Sequence, residues 1–414
     1  MGHRRVRDRP LGLIPFLFLL LGGCGDPTDT TADASTADAG ALDAAIPVDA
    51  NDDGSAGGDA AASDAGDASA PREDAGGPHI FVEAAANPGE WTWIPIEGAR
   101  CRDGSTAGIG LRTHVDGPGL ILFMQGGGGC INGTTCDLNR STFDEDDLAM
   151  WASGLGDNHI FNTSNGMNPV RDWHAAFIAY CTGDFHGGTR SGVDVPGGPT
   201  DQWFVGHHNM QLMTALLRDY FTDVEHVLLV GSSAGGFGTV ISYVEVEGAF
   251  APAPVTLLDD SGILLPTDQA LSPCLQRRMR DLWGLDAALP SGCTACFSAS
   301  GDGLSNLYSH LGTTYPDARF GLISATGDLV IRTFYGYGRN DCEPAASVPI
   351  TVANYRMGLF ALRSGLPANW GTYYSSGPLH AILASYPILS VDGVTLRSWV
   401  SELLAGEVSH VAPP

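Results

Sequence analysis

The sequence predicts an α/β fold, with a doubly wound, mostly parallel sheet and helices on both faces. Two observations carry this. Short apolar runs at 120–124, 176–180, 227–230, 255–258 and 320–324 read as buried strands. Helical patterns lie among and after them: Met210, Met213, Leu217 and Phe221 recur at helical spacing, as do Leu396, Trp399, Val400 and Leu403. The Met and Trp positions read as core faces. Strands that alternate with helices give a parallel sheet.

Composition bounds the function. The 414 residues hold 47 acidic and 21 basic side chains, a net charge of −26, and every basic residue is Arg. Such a chain is repelled by phosphate backbones and anionic lipid, so no nucleic-acid partner is expected. A hydrophobic content of 43% is enough for a core. No run of eighteen apolar residues exists to form an ordinary transmembrane helix.

Residues 1–23 read as an export signal. Arg4, Arg5, Arg7 and Arg9 precede a short apolar run at 11–22, and Gly22 and Gly23 precede Cys24. A cysteine after small residues resembles a bacterial lipobox, which implies lipid on Cys24 and an envelope-anchored protein. Residues 24–78 are then the anchor and a linker rich in Ala, Asp, Gly, Ser and Thr. The stretch 25–78 has 13 acidic residues, one Arg and no aromatic residue, so it is expected to stay extended and disordered. Asp49, Asn51, Asp53 and Gly54 fit half of a calcium loop, but Ala60 stands where its bidentate Glu belongs, and no metal is assigned. One globular domain, expected to be monomeric, fills 79–414.

Within it the run at 227–230 leads into Gly231, Ser232, Ser233, Ala234 and Gly235, then into an apolar helical pattern. This is G-x-S-x-G between strand and helix. The flanking glycines permit a turn that pushes Ser233 outward as a nucleophile. The Ala234 amide, at the helix start, can meet a developing oxyanion. Upstream, the run at 120–124 ends in Gln125 and four glycines, 126–129. Bare amides after a strand suit a second oxyanion donor; a phosphate loop would need the Lys this chain lacks.

Chain order in such sites is Ser, acid, His. Of the later histidines, His410 is expected to fray at the end, and His310 leaves little room for an acid after it. His380, in a loop before an apolar run, is the base. Asp328, just after the run at 320–324, is the first candidate for the acid. Asp341 is another, while Asp259 and Asp260 are candidates to buttress the Ser233 turn instead.

Four blocks together resemble the pectin acetylesterase and Notum carboxylesterase family. Gln125 to Cys130 with Cys136 is similar to its E-G-G-G-W-C…C. Asn168, Pro169, Asp172, Trp173 and the stretch from Tyr180 to Asp184 are similar to its N-P…N-W…Y-C-D-G. Gly231 to Gly235 resembles G-x-S-A-G-G. His380, followed by Asp392, Gly393 and Leu396, resembles its histidine block. The likeness spans 101 to 399. It implies an α/β-hydrolase-type fold, a triad of Ser233, Asp328 and His380, and oxyanion contacts at Gly127, Gly128 and Ala234. Two positions depart: Gln125 replaces Glu, and Gly129 replaces a wall-forming Trp, so that Gly129→Trp is expected to be tolerated.

Eight cysteines remain in an exported domain, where disulfides persist. The resemblance implies Cys101–Cys181 and Cys130–Cys136, and leaves Cys274, Cys293, Cys296 and Cys342 to form two more bridges of open pairing. Cys293 and Cys296 have zinc-like spacing but no second pair.

The expected activity is therefore that of a serine esterase without a cofactor, acting on an acylated polysaccharide such as pectin or on a small ester. Other acyl esters, peptides, or non-catalytic glycan binding are the alternatives. The anchor gives a first prediction. Cys24→Ser is expected to move the protein from the membrane fraction to the soluble one; equal retention of both forms would reject the lipid.

Overall fold

The computed structural model describes residues 78–266, 270–342 and 347–414. The export segment, Cys24 and the linker up to residue 77 lie outside these residues.

Nine strands form one sheet: β1 (Thr92–Arg100), β2 (Thr106–Arg112), β3 (Gly119–Met124), β4 (His174–Ile178), β5 (His226–Ser232), β6 (Val255–Asp260), β7 (Arg319–Ala325), β8 (Trp370–Ser375) and β9 (His410–Val411). Their order is β1-β2-β4-β3-β5-β6-β7-β8-β9. β2 is antiparallel to both neighbours, and every pairing from β4 to β9 is parallel. The chain thus steps one way from β3 to β4, then returns to lay β5 and its successors on the other side of β3. With right-handed crossovers this reversal puts helices on opposite faces. The point of reversal lies at the carboxyl ends of β3 and β5, where α/β folds build their sites.

The helices of eight residues or more are α1 (Gly206–Tyr220), α2 (Ala234–Phe250), α3 (Pro273–Trp283), α4 (Asn306–Thr314), α5 (Leu329–Gly336), α6 (Val352–Gly365) and α7 (Leu396–Leu404). α1 and α7 carry the two apolar patterns, and Met210, Met213, Leu217, Leu396, Trp399, Val400 and Leu403 are buried.

All five apolar runs are strands, with one shift. The run at 176–180 is the strand His174–Ile178. Tyr180 has left the ladder because its amide donates to the Gln125 side chain, 2.9 Å away. Four strands lack an apolar run. β1 and β2 contain Pro95, Gly98, Gly108 and Gly110, which weaken the signal. β8 is buried along its whole length but reads as polar. Its Tyr373 and Tyr374 hydroxyls are satisfied by the Val394 and Leu359 carbonyls. The expected fray at His410 is instead the edge strand β9, where the imidazole meets the Thr372 hydroxyl at 3.1 Å.

Four disulfides tie the domain. Cys101–Cys181 and Cys130–Cys136 pair as the resemblance implied, and the open pairing resolves as Cys274–Cys342 and Cys293–Cys296. Among the described residues no helix is long and apolar enough to cross a membrane.

Candidate active site

Ser233 stands at the N-cap position of α2 with positive φ, at φ 58° and ψ −120°. A non-glycine residue is held there only by its surroundings. The Ser233 amide donates to the Asp260 carbonyl at 2.7 Å. The flanking glycines are required by contact: a Cβ on Gly231 would overlap the Gly235 carbonyl, and one on Gly235 would overlap the Met124 carbonyl. Ser232, next to the turn's centre, is turned away, its hydroxyl donating to Asp260 Oδ2 at 2.9 Å.

The glycine loop after β3 lies against this turn. A Cβ on Gly126 would stand 2.9 Å from that of Ser233. The loop's carbonyls are fastened one by one. His186 Nε2 donates to Gln125 (2.9 Å), Asn139 Nδ2 to Gly127 (2.6 Å), Tyr180 Oη to Gly128 (2.7 Å) and Trp283 Nε1 to Cys130 (2.8 Å). In a planar peptide the N–H lies opposite the C=O. Holding carbonyls 127 and 128 therefore turns the Gly128 and Gly129 amides away from Asn139 and Tyr180. The amides of Gly126 to Gly129 donate to no protein acceptor among the described residues. Ala234, first in α2, has no carbonyl one turn back for its own amide. Unfilled donors thus come from two elements that meet at Ser233.

The fasteners are themselves buried. Burial lowers His186 to about 4, so its imidazole is neutral, with the proton on the nitrogen that meets a carbonyl. Burial raises Asp184 to about 6, against the Thr182 hydroxyl and the Gly206 amide, which favour its charge. Tyr180 and Asp184 fall in a stretch the resemblance singled out. Asn139, His186 and Trp283 stand alone in sequence, and no pattern marks them.

Asp328 and His380 come together from the ends of β7 and β8. His380 Nδ1 donates to Asp328 Oδ2 at 2.8 Å, and Asp328 is fully buried. The other oxygen caps α5 by accepting from the Ile331 amide at 3.0 Å. With the proton on Nδ1, His380 presents Nε2 as an acceptor. Ser233 and His380 share no hydrogen bond among the described residues; bonds of this kind often tighten only in the complex with substrate. Asp341 is exposed, and His310 lies on α4. Neither joins the cluster.

The pectinacetylesterase family model matches residues 81–306, more than half of the chain. The chain belongs to the pectinacetylesterase family. It is thus one of a family of carboxylesterases. Relatives include the palmitoleoyl-protein carboxylesterase NOTUM of Homo sapiens, 31% identical over 181 residues, and that of Schmidtea mediterranea, 28% over 152. These matches cover 41% and 34% of this chain, and 35% and 27% of the relatives' length. The chain therefore spans about a third of the curated relatives it matches. The solved Wnt deacylase Notum from Drosophila aligns with a TM-score of 0.59 at 19% identity, over 78% of this chain and 96% of that one. That likeness concerns the fold.

The structure explains one departure from the family's motif and corrects the reading of the other. Gln125 keeps an acceptor for the Tyr180 amide, as a Glu would. Gly129 does not leave a gap where a Trp is missing. A Cβ there would meet Phe185 at 3.0 Å, Trp283 at 3.1 Å and Phe334 at 3.3 Å. Phe185 stacks on Phe237 at 4.3 Å and packs against Trp283 and Phe334. Rings from other elements already fill the wall, so Gly129→Trp overpacks it. It is expected to cost about 1–3 kcal/mol of stability, measured by urea unfolding; an unchanged midpoint would mean that the rings yield.

Proposed function

We propose that this protein is an exported serine esterase that removes a short acyl group, such as acetyl, from a polysaccharide or a comparable alcohol. The Asp328–His380 hydrogen bond carries the reading. It joins acid and base in the chain order Ser, Asp, His, beside an outward serine bracketed by unfilled amides. Ser233 Oγ attacks the ester carbonyl as His380 Nε2 takes its proton. Asp328 holds the imidazole and stabilises it when charged. The amides of Gly127, Gly128 and Ala234 receive the oxyanion. His380 returns the proton to the departing alcohol. Water, activated in the same way, then releases the acid from Ser233.

The wall at Gly129 supports a short acyl chain, since Phe185, Trp283 and Phe334 occupy the space a long one would need there. Charge supports a neutral glycan over polyanionic pectin: the domain at 79–414 has 33 acidic residues against 16 Arg. The lipid on Cys24 and the acidic linker would hold this site off a membrane surface.

The test is hydrolysis of aryl esters of increasing chain length by the protein from residue 79 onward. Turnover is expected to be highest for acetate; equal turnover of an amide analogue would mark a peptidase instead. Ser233→Ala is expected to abolish labelling by a fluorophosphonate. Ser232→Ala is expected to keep the label, because its hydroxyl is committed to Asp260. His380→Ala is expected to lower turnover by several orders of magnitude in a folded protein. Labelling that survives in Ser233→Ala would overturn the assignment.

Gly128→Val tests the oxyanion loop. Gly128 has φ +82°, and a Cβ there meets nothing within 4 Å. The substitution therefore strains the backbone without crowding the core. Turnover on an aryl acetate is expected to fall roughly 10²–10³-fold, with labelling of Ser233 retained. Wild-type turnover would place the oxyanion elsewhere.

A further inference from the structure

Asp260, the last residue of β6, is fully buried and is not part of the proposed triad. Its carboxylate accepts four hydrogen bonds, from the Ser233 turn, from the loop after His380 and from its own neighbour Ser261. The Ser232 hydroxyl (2.9 Å) and the Leu383 amide (3.0 Å) reach Oδ2. The Ser261 hydroxyl (3.0 Å) and the Ile382 amide (2.9 Å) reach Oδ1. Its own carbonyl accepts from the Ser233 amide at 2.7 Å. Ser261 Oγ also accepts from the Ala381 amide at 3.2 Å. The bonded segments are the turn that carries Ser233 and the three residues after His380.

These bonds converge where the backbone is strained. Ser233, Ser261 and Ala381 all have positive φ, at 58°, 68° and 55°. Non-glycine residues stay in that region only when their neighbours over-determine them. Here the Ser233 amide is bonded to Asp260, Ser261 adjoins it, and the Ala381 amide is bonded to Ser261. Burial raises the pKa of Asp260, while the Leu383 amide, the Ser232 hydroxyl, His380 and the Ser261 hydroxyl pull it down.

We infer that Asp260 is a positioning residue, whose buried carboxylate clamps the loop carrying His380 onto the turn carrying Ser233. The inference rests on the proposed roles of Ser233 and His380. Asp328 sets the direction of the imidazole ring through Nδ1. The neighbours of Asp328, Gly327 and Leu329, hold the loop before His380 through the Gly377 and Pro378 carbonyls, whereas Asp260 ties the loop after His380 to the turn that carries the nucleophile.

Asp260→Asn keeps the shape but puts an NH₂ where one of the two loop amides must donate. The loop then loses a bond and shifts. A misplacement of about 1 Å can cost 10²-fold in rate. On a short-chain aryl acetate, kcat per titratable serine is expected to fall on the order of 10²-fold, with KM within about twofold and a cooperative thermal transition retained. A role confined to stability would lower the fraction of titratable serine and leave kcat per site unchanged. That result, or wild-type kcat, in Asp260→Asn would overturn the inference. Should Asp260→Asn fail to fold, Ser261→Ala removes only the hydroxyl that holds Ala381. It is expected to lower kcat per site about tenfold, and wild-type kcat there would overturn the inference equally. Ser233→Ala run in parallel separates the two claims. Activity retained in Ser233→Ala overturns the serine reading and this inference with it. A dead Ser233→Ala beside a fully active Asp260→Asn overturns the clamp alone.

Discussion

Everything at the candidate site depends on backbone packed directly against backbone where β3, β5 and β6 end. Gly126, Gly231, Gly235 and Gly262 sit where a Cβ would overlap main-chain atoms of a neighbouring segment. Removing those side chains lets the turn at Ser233, the loop after β3 and the end of β6 share a space that no larger residue would leave. The unfilled amides of 126–129 and of Ala234 meet for this reason. The strand order switches between β3 and β5, at the same place.

Close packing would be useless if the peptide planes were free to rotate. Four side chains from three segments hold the loop's carbonyls: Asn139; Tyr180 and His186, both from the loop after β4; and Trp283. The bonds these donors make offset the cost of burying them, although Asn139 Oδ1 is buried without a partner among the described residues. One side is anchored to the Cys130–Cys136 bridge and to Arg102, whose buried guanidinium donates to the Cys136 and Asn139 carbonyls. The other side runs into the rings of Phe185, Phe237, Trp283 and Phe334, the same rings that form the wall. Loop rigidity and the packing at Gly129 therefore rest on shared residues.

Part of this was legible in the chain. Five strands announced themselves as apolar runs because both faces of a central parallel strand are buried. β8 is just as buried, but its Thr, Tyr and Ser carry hydroxyls; those of Tyr373 and Tyr374 are satisfied by distant carbonyls and that of Thr372 meets His410. β9 is two residues long and exists through its pairing with β8. Asp328 and His380 could be chosen by chain order and by their place after strands; their 2.8 Å bond could not be read that way.

The sequence by itself determined the α/β class, the strand–turn–helix around Ser233 and the glycine loop, because each is written in neighbouring residues. It also determined the charge, which follows from composition alone. Only the tertiary structure decided which side chains hold the loop, how the last four cysteines pair, and what fills the wall at Gly129. Those outcomes are set by contacts between residues far apart in the chain. The aromatic rings that meet Gly129 come from positions 185, 283 and 334. No local pattern encodes such a meeting, since it follows from where the strands and helices finally stack.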